Sequence, residues 1–123
     1  MEALRFKLVL ATICEDTYVL TLGGEADASN AGEIERALAD ATDAGGTHVI
    51  VDLLDVPFVD STILGVLLRY SRRIRDNGGT LVLVCDDFRV LRAFEISGLD
   101  AHFSFEHSLG AAVDAAIARS VAC

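Results

Sequence analysis

The apolar residues of this chain form short runs that alternate with stripes at helical spacing. Residues 4–13 and 18–23 are β-prone, and the short polar stretch between them is typical of a hairpin turn. The β-prone segment 47–53 and the continuous apolar run at 81–85 predict two buried strands. Residues 102–105 are expected to form a short last strand.

Helical spacing predicts four helices in the intervening segments. Asn30 and Glu33 form a plausible N-terminal cap for the first helix, which is expected to end at Gly45-Gly46. The second helix is predicted at 61–76, because Asn77-Gly78-Gly79 places glycine where a helix commonly ends. The last two helices are expected to begin near Asp86-Asp87 and Ser108, and to end near 97–98 and 122, respectively.

This order of elements predicts the fold class. Helices that connect strands make neighbouring strands run parallel, whereas the opening hairpin is antiparallel. We therefore expect residues 1–123 to form a single α/β domain, with a four- to five-stranded mixed β-sheet, an N-terminal antiparallel hairpin and about four flanking helices.

Composition excludes several classes of function. The chain has 123 residues, 52% of them hydrophobic, and a net charge of −9 with 10 basic residues. An acidic chain with one lysine is a poor binder of nucleic acid, and no apolar run approaches the roughly 20 residues of a membrane span. The N-terminus lacks a signal-peptide pattern, so we expect a cytoplasmic protein without membrane insertion.

Four arginines between residues 69 and 75 allow two interpretations. They either complement the negative end of the second helix or form a basic patch that docks an acidic partner.

The cysteines and histidines suggest no metal site, redox pair or cofactor. Cys14, Cys85 and Cys123 are odd in number and widely separated, and the three histidines share no ligand spacing with them. Cys14 and Cys85 are interpreted as ordinary strand residues.

The most informative segment is the connection from the strand at 47–53 to the second helix. It contains the only proline, Pro57, and leads into Asp60-Ser61-Thr62. Free N–H groups and the positive end of the helix dipole make this position suitable for a phosphate on Ser61. Asp and Ser are also favoured cap residues, so a purely structural role stays open. A serine nucleophile requires a base, and no histidine lies nearby in sequence, so we do not expect an enzyme.

The second helix is apolar around much of its circumference. The leucines at 64, 67 and 68 make one inward stripe, while Ile63, Val66 and Tyr70 lie on a flank. Two interpretations remain open: a wider buried face, or a partner-binding surface beside Ser61.

Four motifs in register extend over essentially the whole chain: Gly24-Glu25-Ala26-Asp27, then Phe58-Val59-Asp60-Ser61-Thr62 with Leu64-Gly65, then Asn77-Gly78-Gly79, and finally Ser97-Gly98-Leu99. With these motifs, the chain resembles the STAS-domain anti-sigma factor antagonists. The resemblance implies the same mixed sheet flanked by helices.

The resemblance also implies a mechanism. In that family the serine after the Asp is phosphorylated by an anti-sigma factor with serine kinase activity, and a serine phosphatase of the metal-dependent type removes the phosphate. Carried over, Ser61 is the acceptor and Thr62 is a second candidate. The leading hypothesis assigns partner binding to Asp27, Asp60, Thr62, Ile63, Val66 and Tyr70, while a turn role for Asp27 stays open. Family members usually have Gly where this chain has Ile63, which bears on how closely the kinase approaches. The alternative is a non-switching STAS subunit of a lipid-transport or stress-sensing complex.

Overall fold

The computed structural model describes residues 5–123. The predicted start of the first strand, Leu4, lies outside this part of the chain. The strands are β1 (Lys7–Cys14), β2 (Thr17–Gly23), β3 (His48–Asp55), β4 (Thr80–Val84) and β5 (Ser104–Glu106). The helices are α1 (Ala31–Asp43), α2 (Ser61–Asp76), α3 (Phe88–Ile96) and α4 (Leu109–Arg119), with a single 3-10 turn at Asp100–His102.

The five strands form one sheet in the order β1-β2-β3-β4-β5. Only β1 and β2 are antiparallel, and the other three neighbouring pairs are parallel. The predicted mixed sheet with an opening hairpin and four helices is thus confirmed. Because β3 is the central strand, the segment that leaves it emerges from the middle of the sheet.

The core has two parts, one on each face of the sheet. The larger cluster joins the sheet to α1, α2 and α3, and includes the fully buried Leu20, Leu38, Leu67 and Phe94. The smaller cluster lies beneath α4 and is formed by Val19, Ile50, Val82, Val84, Ala112 and Ala116. Helix α2 therefore lies on the more heavily covered face.

The boundaries of α2 match the prediction, and those of α4 do not. Helix α2 begins at Ser61 and ends at Asp76, where Gly78 adopts a positive φ of 81° that favours glycine. Helix α4 ends at Arg119, three residues before the predicted end, because the chain turns extended at Ser120. The segment Ser120–Cys123, called the return segment below, then runs back to the β1-β2 hairpin.

Two local predictions are wrong. Asn30 precedes α1 but its side chain does not cap the helix, because its amide bonds instead to the backbone of Asp27 and Glu25. Cys14 is not an ordinary strand residue, since it forms a disulfide with Cys123 across 109 positions of sequence.

The described helices, all within residues 5–123, include none that is both long and apolar enough to cross a membrane. Three of the four arginines divide between two roles. Arg73 and Arg75 lie in the last turn of α2, and Arg69 forms an ion pair of 2.5 Å with Glu35 of α1.

Candidate functional site

The candidate site is the segment 58–62, called the elbow below, together with a facing loop at residues 24–30. Val59 of the elbow forms a parallel bridge with Ala26 of the facing loop. The N–H of Ala26 donates to the Phe58 carbonyl at 3.1 Å, and the N–H of Asp60 donates to the Ala26 carbonyl at 3.3 Å. The site is therefore built on backbone pairing at the C-terminal ends of β2 and β3.

Asp60 connects the elbow to the facing loop through its carboxylate. One oxygen accepts the N–H of Ile63 at 3.0 Å and caps α2. The other oxygen accepts the N–H of Ala28 at 3.0 Å. Asp60 is thus the helix cap. The sequence left open whether Asp60 or Ser61 has this structural role, and in the structure it belongs to Asp60.

Ser61 is the first residue of α2, and its side chain is exposed. Its hydroxyl has no hydrogen-bond partner within residues 5–123, because Asp60 already occupies the capping position. Thr62 is exposed as well. In the described structure, the Ser61 hydroxyl therefore makes no structural hydrogen bond and is accessible to solvent.

The backbone around Ser61 suits an added anion. The first N–H groups of a helix have no carbonyl partner within it, and here the Asp60 carboxylate takes only that of Ile63. The N–H groups of Ser61 and Thr62 stay available in the described structure, at the positive end of the α2 dipole. A phosphate on Ser61 is compatible with the helix that carries it.

Asp27 lies beside the elbow in the facing loop, after the end of β2. Its carboxylate accepts the N–H of Ser29 at 2.9 Å and the Ser29 hydroxyl at 2.5 Å, while its own N–H donates to Asn30 at 3.0 Å. The Ser29 hydroxyl and N–H together lower the pKa of Asp27 below its usual value. Asp27 therefore keeps a negative charge close to the elbow.

Gly65 lies one helical turn after Ser61, on the same face of α2. A Cβ added at this position would meet nothing within 4 Å. Glycine within a helix costs about 1 kcal/mol relative to alanine, and the internal packing of this protein does not require it here. The helix surface beside Ser61 therefore carries no side chain at this position, and the glycine makes the helix less stable.

The expectation that Ile63, Val66 and Tyr70 form an exposed flank is wrong. Their side chains are 0%, 3% and 5% exposed. All three belong to the larger core cluster, because α2 packs against α1 as well as against the sheet. Of the two interpretations left open by the sequence, the wider buried face is the one observed, and these side chains offer no surface to a partner.

An exposed apolar surface does adjoin the elbow, on the side that faces α3. Phe58 is 50% exposed, Phe88 68% and Ile96 75%. They line a groove of about 530 Å³ that also includes Arg92, whose guanidinium lies 5.9 Å from the centre of the Phe88 ring. The groove joins the elbow directly, so both share one surface.

Sequence periodicity contains a signal for this groove. Val90 and Phe94 are four residues apart and face the core, with exposures of 1% and 0%. Phe88 and Ile96 lie two residues outside this pair, roughly 200° around the helix, so their side chains point away from the core. Large apolar residues in that phase indicate an exposed patch.

A five-stranded mixed sheet with an exposed serine at the start of the helix that follows the central strand defines a STAS-type α/β domain. A family model described as the STAS domain matches residues 9–112. Anti-sigma-B factor antagonists from Staphylococcus epidermidis and Staphylococcus aureus (strain NCTC 8325 / PS 47) are each 32% identical, over 85 and 82 residues respectively. These alignments cover 69% and 67% of this chain, and 79% and 76% of the relatives. The chain belongs to the STAS-domain anti-sigma factor antagonist family.

Solved structures agree on the fold. An anti-sigma factor antagonist from Mycobacterium paratuberculosis superposes with a TM-score of 0.82 at 20% identity, covering 92% of this chain and 95% of that one. The anti-sigma factor antagonist SpoIIAA in its unphosphorylated form gives a TM-score of 0.79 at 23% identity, covering 94% and 99%. The phosphorylated form of SpoIIAA, described as a Bacillus cell fate determinant, gives 0.71 at 23% identity, covering 89% and 98%.

Proposed function

We propose that this protein is an anti-sigma factor antagonist that acts by partner switching and has no catalytic activity of its own. In its unphosphorylated form it binds an anti-sigma factor that is also a serine kinase. Phosphorylation of Ser61 releases it, and a metal-dependent serine phosphatase restores the binding form. The observation that carries this proposal is the Ser61 hydroxyl, which is exposed and unbonded in the described structure while Asp60 caps the helix.

The modification adds charge where an interface would be sensitive to it. The γ-phosphoryl group of ATP passes to the Ser61 oxygen, the hydroxyl proton leaves, and ADP is released. The phosphate adds about 1.5 to 2 negative charges to a chain of net charge −9 and stands next to Asp60 and Asp27. The helix N-terminus tolerates that charge, whereas an interface matched to a neutral hydroxyl does not.

The groove between the elbow and α3 supplies the contact surface. Phe58, Phe88 and Ile96 expose apolar area beside the elbow that the fold itself does not use. Buried aromatic side chains with a nearby Arg are typical centres of protein interfaces. This surface takes over the partner-binding role that the sequence gave to Ile63, Val66 and Tyr70.

Gly65 supports the same arrangement. The space above it is empty in the free protein, so its lack of a side chain serves no internal contact. A kinase that brings ATP to Ser61 must approach this face of α2 closely, and a glycine one turn away permits that approach. Asp27 and Asp60 hold the elbow and the facing loop in one geometry for docking.

The test is to phosphorylate the purified protein with its candidate anti-sigma factor kinase and Mg-ATP, and to map the site by mass spectrometry. We expect one phosphate, located on Ser61. Ser61→Ala should accept none yet still bind the kinase, and Thr62→Ala should be phosphorylated like the wild type. Phosphorylation of Ser61→Ala at the wild-type level would contradict the assignment. Stable binding to a sensor or transport complex, without phosphate under any condition, would favour the non-switching subunit.

A further inference from the structure

The disulfide lies at the opposite end of the sheet from the elbow. Cys14 ends β1, next to a bulge in its pairing with β2, and its Cα lies 5.4 Å from that of Cys123. This separation is ordinary for a disulfide. We propose that Cys14 and Cys123 are a reversible redox site, at which small-molecule thiols and disulfides open and close a covalent link between the return segment and the β1-β2 hairpin.

The return segment is held near Cys14 by polar contacts that do not involve sulfur. The Ser120 hydroxyl donates to the Asp16 carboxylate at 2.5 Å, and the N–H of Val121 donates to its other oxygen at 3.3 Å. The N–H groups of Ala122 and Cys123 both donate to the Ser120 hydroxyl oxygen at 3.1 Å. The two thiols therefore stay close after reduction, which makes the link easy to re-form.

Asp16, which accepts these hydrogen bonds, is itself held in place by further hydrogen bonds. The Asp16 carbonyl accepts the N–H groups of Thr47 and His48, each at 2.9 Å, and its carboxylate accepts the Thr17 hydroxyl at 3.0 Å. Asp16 and Thr17 are 8% and 0% exposed. The hydrogen bond from Ser120 lowers the pKa of Asp16, so the carboxylate is ionised and remains an acceptor near neutral pH. The closing of the disulfide thus requires no rearrangement of the hairpin.

The three cysteines differ in access, which indicates which of them reacts. Cys123 is exposed and Cys14 is partly exposed, whereas Cys85 is fully buried. Burial raises the pKa of the Cys85 thiol and keeps it in the unreactive thiol form. An exposed disulfide is open to attack by an external thiolate, and such disulfides are the labile ones.

Thiol–disulfide exchange provides a balanced route. In the closing direction, the Cys123 thiolate attacks a small-molecule disulfide, forms a mixed disulfide and releases one small thiolate. The Cys14 thiolate then attacks the Cys123 sulfur and releases the second small thiolate. Two protein thiols are oxidised and one small-molecule disulfide is reduced to two thiols. The opening direction is the same sequence in reverse.

This site is separate from the proposed phosphorylation site. Asp16 pairs with the start of β3, whereas the elbow follows its other end, and the eight residues of β3 span roughly 26 Å. The redox site therefore does not depend on the proposed function, and each can fail without the other.

The experiment equilibrates the full chain with mixtures of reduced and oxidised glutathione over a wide range of ratios. Each sample is trapped with excess N-ethylmaleimide at neutral pH under native conditions, and its intact mass is measured by mass spectrometry. We expect a two-state transition within this range, from a doubly alkylated form to an unalkylated monomer that is two hydrogens lighter than the reduced, unmodified chain. Cys85 should remain unlabelled throughout. Because the link closes a loop of more than 100 residues, reduction should lower Tm by on the order of 10 °C.

A pair of matched variants tests the role of the return segment. Ser120→Ala removes the hydroxyl that bonds to Asp16, and should reduce the equilibrium constant for closing the disulfide by roughly threefold or more. Ser97→Ala removes a hydroxyl that bonds within α3 and should leave that constant unchanged.

Three results would overturn the proposal. These are a wild-type chain that forms no intramolecular disulfide at any ratio, a disulfide that fully reduced glutathione cannot open in the folded protein, and a transition that produces only disulfide-linked dimers.

Discussion

The two ends of the central strand β3 differ in how completely their polar groups are used. At the His48 end, the Asp16 carbonyl accepts two N–H groups at the start of β3, and the Asp16 carboxylate accepts bonds from Thr17 and the return segment, so that all its oxygens are bonded. At the Asp55 end, Asp60 is bonded just as fully, but the neighbouring Ser61 hydroxyl and two helix N–H groups have no partner in the described structure. Unused polar groups beside exposed apolar side chains are what a modifiable interface requires, and this contrast supports the proposed interface at the elbow.

Among substitutions at the elbow, the largest expected effect on the fold comes from Asp60→Ala. It removes both the cap of α2 and the tie to the facing loop, so we expect a loss of about 2 kcal/mol in the free energy of unfolding. Urea denaturation followed by circular dichroism measures it. Asp87→Ala is the matched control, because Asp87 caps α3 without a tie to another loop, and should cost about 1 kcal/mol. Equal losses would show that the elbow and the facing loop are not coupled through Asp60.

Removing the apolar side chains that line the groove should weaken partner binding by about tenfold. Phe88→Ala and Ile96→Ala remove side chains that are exposed in the free protein, so the free energy of unfolding should change by less than about 0.5 kcal/mol. Phe94→Ala, on the opposite face of α3, should cost about 3 to 5 kcal/mol in stability because Phe94 is fully buried. Calorimetric titration with the anti-sigma factor measures the affinity. Unchanged affinity for both groove variants would exclude this surface from the interface.

The smallest effect, and the most specific, is expected from Gly65→Ala. The added methyl group meets no atom within 4 Å in the free protein, so stability should rise by up to about 1 kcal/mol. The same methyl group should slow phosphorylation several-fold if the kinase passes close to this face. Gly110→Ala in α4, where a Cβ also meets nothing, is the control and should leave phosphorylation unchanged. A variant that is more stable and phosphorylated at the normal rate would mean that Gly65 has no role in docking.

The sequence predicted the fold and the position of Ser61 well, because both depend on local signals. One proline and an Asp-Ser pair indicate where α2 begins, and the predicted bounds of α2 are those observed, whereas β3 extends two residues beyond its predicted end. The family resemblance, which carried the functional hypothesis, is confirmed by the family model and the relatives.

The predictions that failed concern contacts between distant segments. The apolar flank of α2 gave no sign that α1 covers it, so Ile63, Val66 and Tyr70 were assigned to a surface that does not exist. Likewise, spacing alone could not pair Cys14 with Cys123, because that pairing depends on the return of the chain after α4 to Asp16. Tertiary packing determines both the burial of the α2 flank and the cysteine pairing. A local sequence pattern carries no information about such packing.

The most direct test of the account is the affinity of the anti-sigma factor kinase for the protein before and after stoichiometric phosphorylation of Ser61. We expect binding to weaken by roughly 10- to 100-fold, which corresponds to about 1.4 to 2.8 kcal/mol. Ser61→Asp should show part of this loss, whereas Ser104→Asp, which adds a charge at an exposed serine of β5, should bind normally. Equal affinity of the phosphorylated and unphosphorylated forms would contradict the proposal that Ser61 is the switch.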